Sequence, residues 1–224
     1  MLEDLRWLGI HWDEGPDCGG AFGPYSQSER RSHYLEAWQR LRQGGFLYPC
    51  VCSRKDLAQS ASAPNDADDE PLYPGTCRER NNNDAAVYTT PTGVNWRFRV
   101  PDGEAIEFTD LNLGPQRYVA GKDVGDFLVW RRDDVPAYQL AVVVDDAAMR
   151  ITEVVRGADL LKSTARQLLL LRALGYFPPD HFHCELVRDA AGTRLAKRHD
   201  ALSIRRLRES GISAEKVLEM AGWP

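Results

Sequence analysis

Glu153-Val154-Val155-Arg156-Gly157-Ala158-Asp159-Leu160 is the stretch on which the fold turns. Arg156 follows an apolar pair and precedes a glycine, so its guanidinium is expected to emerge at the end of a buried strand. Open α/β sheets bind ligands at the carboxyl ends of their strands. A guanidinium recognises a carboxylate or phosphate through two parallel hydrogen bonds. An ion pair from Arg156 to a nearby aspartate, fastening the strand end, fits the same spacing.

Outward from this stretch, Leu160 to Leu174 has the period of a helix and is stopped by Gly175. Before it, Phe127 to Trp130 and Leu140 to Val144 are short apolar runs suited to buried strands, the second ending in Asp145 and Asp146. The order from Ala137 to Arg188 is thus expected to be strand, helix, strand, helix, an α/β layer. Nearer the N-terminus, Leu2, Leu5 and Leu8 mark a helix closed by Gly9, and 13–24 is a loop. Ser26 or Ser28 is placed to cap a helix with Tyr34, Leu35, Trp38 and Leu41 on its apolar side, stopped by Gly44-Gly45. Phe46 to Val51 predicts a strand. From Asn95 the pattern alternates, with Trp96, Phe98 and Val100 on one face and Arg97 and Arg99 on the other. Asp102-Gly103 signals a hairpin, and Ile106 and Phe108 continue the alternation. This middle part predicts a small β-rich insertion. Ser203 and Ser213 are placed to cap two short closing helices, with Gly222 as a stop.

A chain of 224 residues, 43% hydrophobic and 27% charged, suits one large or two small globular domains. No run approaches the roughly 18 apolar residues of a membrane helix, and the first residues carry no segment of signal-peptide type. A cytoplasmic location without a membrane partner is expected. Five cysteines in such a chain argue against a disulfide framework. A net charge of −5 argues against a general nucleic-acid binder. Basic residues do gather late in the chain, at Arg188, Arg194, Lys197, Arg198, Arg205, Arg206 and Arg208.

Cys50 and Cys52 stand one residue apart, and Cys77 closes Tyr73-Pro74-Gly75-Thr76-Cys77. Zinc takes four ligands in a tetrahedron. Three thiolates need a fourth partner, and Tyr73 can be folded back by the Pro-Gly turn. Buried free cysteines are the competing explanation, since Cys-x-Cys is tighter than most zinc pairs. Spacing alone leaves both open. Cys18 and Cys184 have no such company and are expected to be structural. Gly192-Thr193-Arg194-Leu195-Ala196-Lys197-Arg198-His199 is a glycine-started basic loop, suited to a polyphosphate leaving group or to being a solvated turn.

Taken together, these segments resemble the glutamyl-tRNA synthetase group of class I aminoacyl-tRNA synthetases. The likeness is carried by Leu5-Arg6-Trp7-Leu8-Gly9, Trp12-Asp13-Glu14-Gly15-Pro16, Gly23 to Arg30, the Arg156 stretch, and Arg194-Leu195-Ala196-Lys197-Arg198 in the place of a Lys-Met-Ser-Lys-Ser loop. Within the group, the pattern is most similar to the glutamyl-Q tRNA(Asp) synthetase family, whose zinc pattern Cys50, Cys52, Tyr73 and Cys77 match. The resemblance implies an α/β, Rossmann-like class I catalytic fold with a small β-rich zinc-binding insertion. It implies structural Zn2+, ATP with Mg2+, L-glutamate and tRNA(Asp) as partners, and a monomer. Tyr138 and Arg156 match residues that hold glutamate, and Lys197 matches the catalytic lysine at ATP, with Arg194 beside it. The implied activity is ATP-dependent activation of glutamate and its transfer to queuosine in the anticodon loop of tRNA(Asp). The implied segments are 1–45, first half of the nucleotide-binding fold; 46–125, zinc-bearing insertion; 126–175, second half; and 176–224, basic loop and helical end. The family's Pro-Ser-Pro-Ser-Gly and His-Ile-Gly-His type motifs do not occur, so the chain is expected to start downstream of them. A glutamyl-tRNA synthetase fragment charging tRNA(Glu) and a non-catalytic zinc-bearing RNA-binding remnant are the alternatives.

Overall fold

The computed structural model describes residues 1–53, 72–79, 87–186 and 203–222. They belong to two compact units, Pro24–Glu185 and Met1–Gly23 with Leu186–Pro224. In chain order the elements are α1 (Leu2–Trp7), α2 (Arg31–Gln43), β1 (Leu47–Cys50), β2 (Asn95–Phe98), β3 (Ala105–Asp110), β4 (Gly114–Val119), β5 (Phe127–Arg131), β6 (Val135–Pro136), α3 (Tyr138–Ala148), β7 (Glu153–Gly157), α4 (Leu161–Leu174), β8 (Asp180–Cys184), α5 (Ile204–Glu209) and α6 (Ala214–Met220).

The core of the larger unit is aromatic where α2 meets the sheet. Tyr34, Ala37, Trp38 and Leu41 recur at helical spacing and are buried. Trp38 meets Trp96 edge to face, with 5.0 Å between ring centroids. Phe98 stacks with Phe46 and Phe127 at 5.9 and 5.3 Å. The sheet order is β1-β2-β5-β6, all antiparallel. β1 lies at its edge, the place where a ladder tolerates the missing N–H of Pro49.

Several local expectations are corrected. Neither Ser26 nor Ser28 caps α2, which starts after Arg30 with no side-chain cap. A 3-10 turn at Gln27–Glu29 leads into it instead, and the Arg30 carbonyl accepts from the His33 amide at 3.0 Å. Trp96, Phe98 and Val100 do face the core, but Arg97 is buried as well. The second face of β2 is covered by the cysteine loop, against which Arg97 packs. Its guanidinium lies 3.9 Å over the Tyr73 ring and donates to the Asp126 carbonyl at 2.9 Å. Asp102-Gly103 makes a turn, closed by the Glu104 amide on the Pro101 carbonyl, but not a hairpin of β2 with β3. Gly103 has φ 82° while Asp102 does not share a positive φ. A two-residue type I′ hairpin needs both. The hairpin is β3–β4, turned by Asp110, whose Oδ1 accepts from the amides of Asn112 and Leu113, and by Gly114 at φ 72°.

The largest correction falls on Leu140 to Val144, which lie in the helix α3 and not in a strand. Leu140, Ala141, Val143, Val144 and Asp145 are all buried, because α3 packs against α2, α4 and β5. An apolar run this short cannot distinguish a buried strand from a helix covered on several sides. The order is therefore helix, strand, helix, strand. Strands β7 and β8 pair in parallel, from Glu153 opposite Asp180 to Gly157 opposite Cys184. Helix α4 joins them and stops at Gly175, φ 67°, as a parallel connection requires.

In the smaller unit, Gly9 follows α1 at φ 79°. Ser203 and Ser213 accept from the amides of Arg206 and Lys216 at 3.4 and 3.3 Å, capping α5 and α6 as expected. Arg208 reaches Asp4 at 3.1 Å. Cys18 and Cys184 are both exposed, so neither fills a core. Among the described residues, no helix is long and apolar enough to cross a membrane.

Candidate functional site

Arg156 sits next to last in β7, at the carboxyl end of the parallel pair. That is where α/β sheets present ligand-binding groups. Its hydrogen bonds run to neutral acceptors, so the expected ion pair to an aspartate is not what these contacts describe. Nε donates to His183 Nε2 at 3.1 Å, and Nη2 donates to Thr164 Oγ1 at 2.7 Å and Gln167 Oε1 at 2.9 Å. Thr164 and Gln167 come from successive turns of α4, His183 from the facing position of β8. Gln167 in turn donates to Gln139 Oε1 at 2.9 Å, and Gln139 to Ser163 Oγ at 3.0 Å. Gln139 is the second residue of α3, so this chain of amides ties the start of α3 to Arg156. Tyr138, the first residue of α3, is about half exposed, and its phenol supports the charge of Arg156. Burial pulls the guanidinium below its ordinary range; Tyr138, Asp146 and Asp159 oppose this.

Behind His183 stands Asp110. Its Oδ2 lies 2.5 Å from His183 Nδ1, and both side chains are fully buried. Burial alone would raise the Asp110 carboxyl, but His183 and the amides of Leu113, Asn112 and His183 hold it at about 2. His181, two residues before, is buried in parallel with His183 at 6.0 Å. Burial, with Arg156 and His183 nearby, pushes it down to about 4. The carboxylates ending α3 have different surroundings. Asp145 is buried and accepts from Arg30 Nε at 2.6 Å, Tyr34 at 2.9 Å and Gln27 at 3.0 Å. Asp146 is pushed up to about 6 by burial, against the pull of Arg156 and with repulsion from Asp145.

The cysteine cluster forms a second site. Cys50, Cys52 and Cys77 bring their sulfurs within 4.8 Å of one another. Tyr73 Oη lies 3.4 Å from Cys50 Sγ and 3.5 Å from Cys52 Sγ, and Cys52 Sγ lies 3.6 Å from Cys77 Sγ. With Zn–S of about 2.3 Å and Zn–O of about 2.0 Å, a tetrahedral zinc separates sulfurs by about 3.8 Å and sulfur from oxygen by about 3.5 Å. The four groups fit that ion. The Cys77 amide donates to Tyr73 Oη at 2.8 Å, which fixes the folded-back phenol and leaves its oxygen an acceptor. Without a cation, burial pushes the Cys52 thiol up to about 11 and the Tyr73 phenol higher still. Burial opposes ionisation of Cys77 too, yet hydrogen bonds from Tyr73, the Val51 backbone and the other cysteines hold it below its ordinary value.

Cys50, Cys52, Tyr73 and Cys77 are thus brought together, as are Tyr138 and Arg156. Arg194 and Lys197, with Arg188 and Arg198, lie outside the described residues. Sequence reasoning missed Asp110, His183, Thr164 and Gln167. One signal was present: His181-Phe182-His183 puts two histidines on one face of a strand that follows a buried helix.

Residues 1–222 match the family described as tRNA synthetases class I (E and Q), catalytic domain. The chain is 52% identical over 222 residues to the Glutamyl-Q tRNA(Asp) synthetase of Symbiobacterium thermophilum, spanning 97% of this chain and 67% of that protein. It is 48% identical to the protein of the same name from Nitratidesulfovibrio vulgaris, with the same shares of 97% and 67%. It is 43% identical to the Glutamate--tRNA ligase 2 of Nitrosococcus oceani, over 97% of this chain and 46% of that one. Among solved structures, the glutamate-tRNA synthetase of Elizabethkingia anophelis superposes with a TM-score of 0.73 at 27% identity, over 90% of this chain and 42% of that chain. The chain belongs to the class I tRNA synthetases of the E and Q type, through their catalytic domain.

Proposed function

We propose that this chain activates glutamate with ATP and transfers it to queuosine in the anticodon loop of tRNA(Asp), in the cytoplasm. The observation that carries the reading is Arg156, fixed by three side chains at the carboxyl end of β7 beside Tyr138, in a chain so close to relatives named for this activity. Arg156 binds a carboxylate of glutamate, and Tyr138 orients it. In the first step the glutamate α-carboxylate oxygen attacks the α-phosphorus of ATP. A P–O bond forms, the bond to the bridging oxygen breaks, and pyrophosphate leaves. In the second, a hydroxyl of the RNA attacks the acyl carbonyl and AMP leaves. Such chemistry needs positioning and charge neutralisation more than a protein nucleophile. Mg2+ with ATP, Lys197 and Arg194 supply the positive charge at the phosphates. Cys50, Cys52, Cys77 and Tyr73 hold one Zn2+, which when bound pins two loops together as a closed structural site.

The test supplies ATP and labelled glutamate with, in separate reactions, queuosine-containing tRNA(Asp) or tRNA(Glu). Label on the anticodon-loop nucleoside supports the reading. Label on the 3′-terminal ribose of tRNA(Glu) supports the second reading, favoured by the identity to glutamate--tRNA ligases. No glutamylated RNA with either substrate overturns both.

A further inference from the structure

The Arg156 guanidinium can only donate hydrogen bonds. Its Nε–H points at His183 Nε2, so that nitrogen is the acceptor and the ring proton is on Nδ1, facing Asp110 Oδ2. Asp110 has no freedom to do otherwise. Its other oxygen, Oδ1, is held by the amides of Asn112, Leu113 and His183 at 3.1, 2.8 and 3.3 Å. Thr164 fits the same pattern. Its oxygen accepts from Arg156 Nη2 and lies 3.3 Å from His183 Nε2, so an unprotonated Nε2 leaves no donor facing that oxygen but Arg156. We propose that Asp110 and His183 are positioning residues for glutamate: the carboxylate fixes the histidine tautomer, and the tautomer aims the Arg156 fork at the substrate carboxylate. Nε and Nη2 are held by the protein, and Tyr138 also hydrogen-bonds the guanidinium. The inference rests on the proposed use of Arg156 for glutamate.

Asp110→Asn tests it with almost no change of shape. The amide oxygen must stay on the three backbone donors, so the new NH2 faces His183 Nδ1. The ring proton then moves to Nε2, and two donors confront each other at Arg156. Glutamate affinity, measured by calorimetry on the full 224-residue chain, is expected to fall about tenfold or more, the scale of one charged hydrogen bond. ATP affinity is expected to stay unchanged, which a general loss of structure would not allow. In that background His183→Gln, which can turn an amide oxygen to Arg156, is expected to restore glutamate binding. Heteronuclear NMR of the ring nitrogens reads the tautomer of the parent directly, whether or not the variants fold. A proton on Nδ1 supports the proposal, and a proton on Nε2 overturns it. Unchanged glutamate affinity in Asp110→Asn overturns it as well, with the reading of Arg156 intact. A parent chain that binds no glutamate overturns both together.

Discussion

Removing the Asp145 carboxylate should be among the most damaging single changes to the larger unit. Arg30 is 1% exposed, and its Nε is 2.6 Å from Asp145 Oδ1. Tyr34 and Gln27 donate to the same carboxylate. Asp145→Ala strands a buried cation and two polar groups together. A buried charge deprived of its partner costs about 3–5 kcal/mol, which lowers the melting temperature by about 6–20 °C in a unit of this size. The pair itself is a different matter. Arg30 Nη2 has no partner among the described residues, so desolvation of this pair is incompletely offset. The double variant Arg30→Met, Asp145→Leu is therefore expected within about 1 kcal/mol of the parent, or above it. Urea unfolding followed by tryptophan fluorescence measures both, since Trp38, Trp96 and Trp130 are buried in this unit. A loss below about 1 kcal/mol in Asp145→Ala, or a double variant as weak as the single one, refutes the reasoning.

Cys52→Ser should reduce bound zinc well below the about one ion per chain expected of the parent; metal analysis decides, and full zinc retention counts against the site. Arg156→Lys keeps a charge but cannot serve His183, Thr164 and Gln167 at once, so glutamate binding should weaken by about tenfold or more while ATP binding stays. Equal affinity in calorimetry would remove Arg156 from the substrate site. His181 titrates at about 4 in the folded chain against 6.5 for an ordinary histidine. The unfolded chain binds more protons between these values, so this group's contribution is present above about 6.5 and lost as pH falls through 4. Replacing His181 by Phe should flatten that part of the stability profile, and a profile with unchanged slope would show the contribution to be absent.

The sequence made some of this plain and concealed the rest for physical reasons. Cys50, Cys52 and Cys77 lie close in sequence, and the Pro-Gly turn before Cys77 told of a folded-back Tyr73. Leu160 to Leu174 was legible as a helix because its period is long and Gly175 punctuates it. Leu140 to Val144 was not, because α3 is covered on several sides and loses the polar face that marks a helix. The alternation placed Arg97 on the face opposite Trp96 and Phe98, but nothing in β2 reports that a loop from residues before it lies over that face and buries it. Asp110 and His183 are 73 residues apart, and no local pattern announces a contact of that kind.

The β3–β4 hairpin has the look of a removable module, two strands that among the described residues pair only with each other. Its tip is nonetheless stitched to β8: the Leu111 amide reaches the His181 carbonyl at 2.8 Å, and Asn112 reaches the His183 carbonyl at 2.9 Å. Shortening or grafting this hairpin is therefore not a neutral edit. Excision would take Asp110 with it and free the ring of His183 to exchange its proton, so a transplant that spares every residue touching the ligand would still loosen the grip of Arg156. Loop length at 111–113 is under the same constraint as the strand it leans on, and a designer has to carry the hairpin and β8 across together.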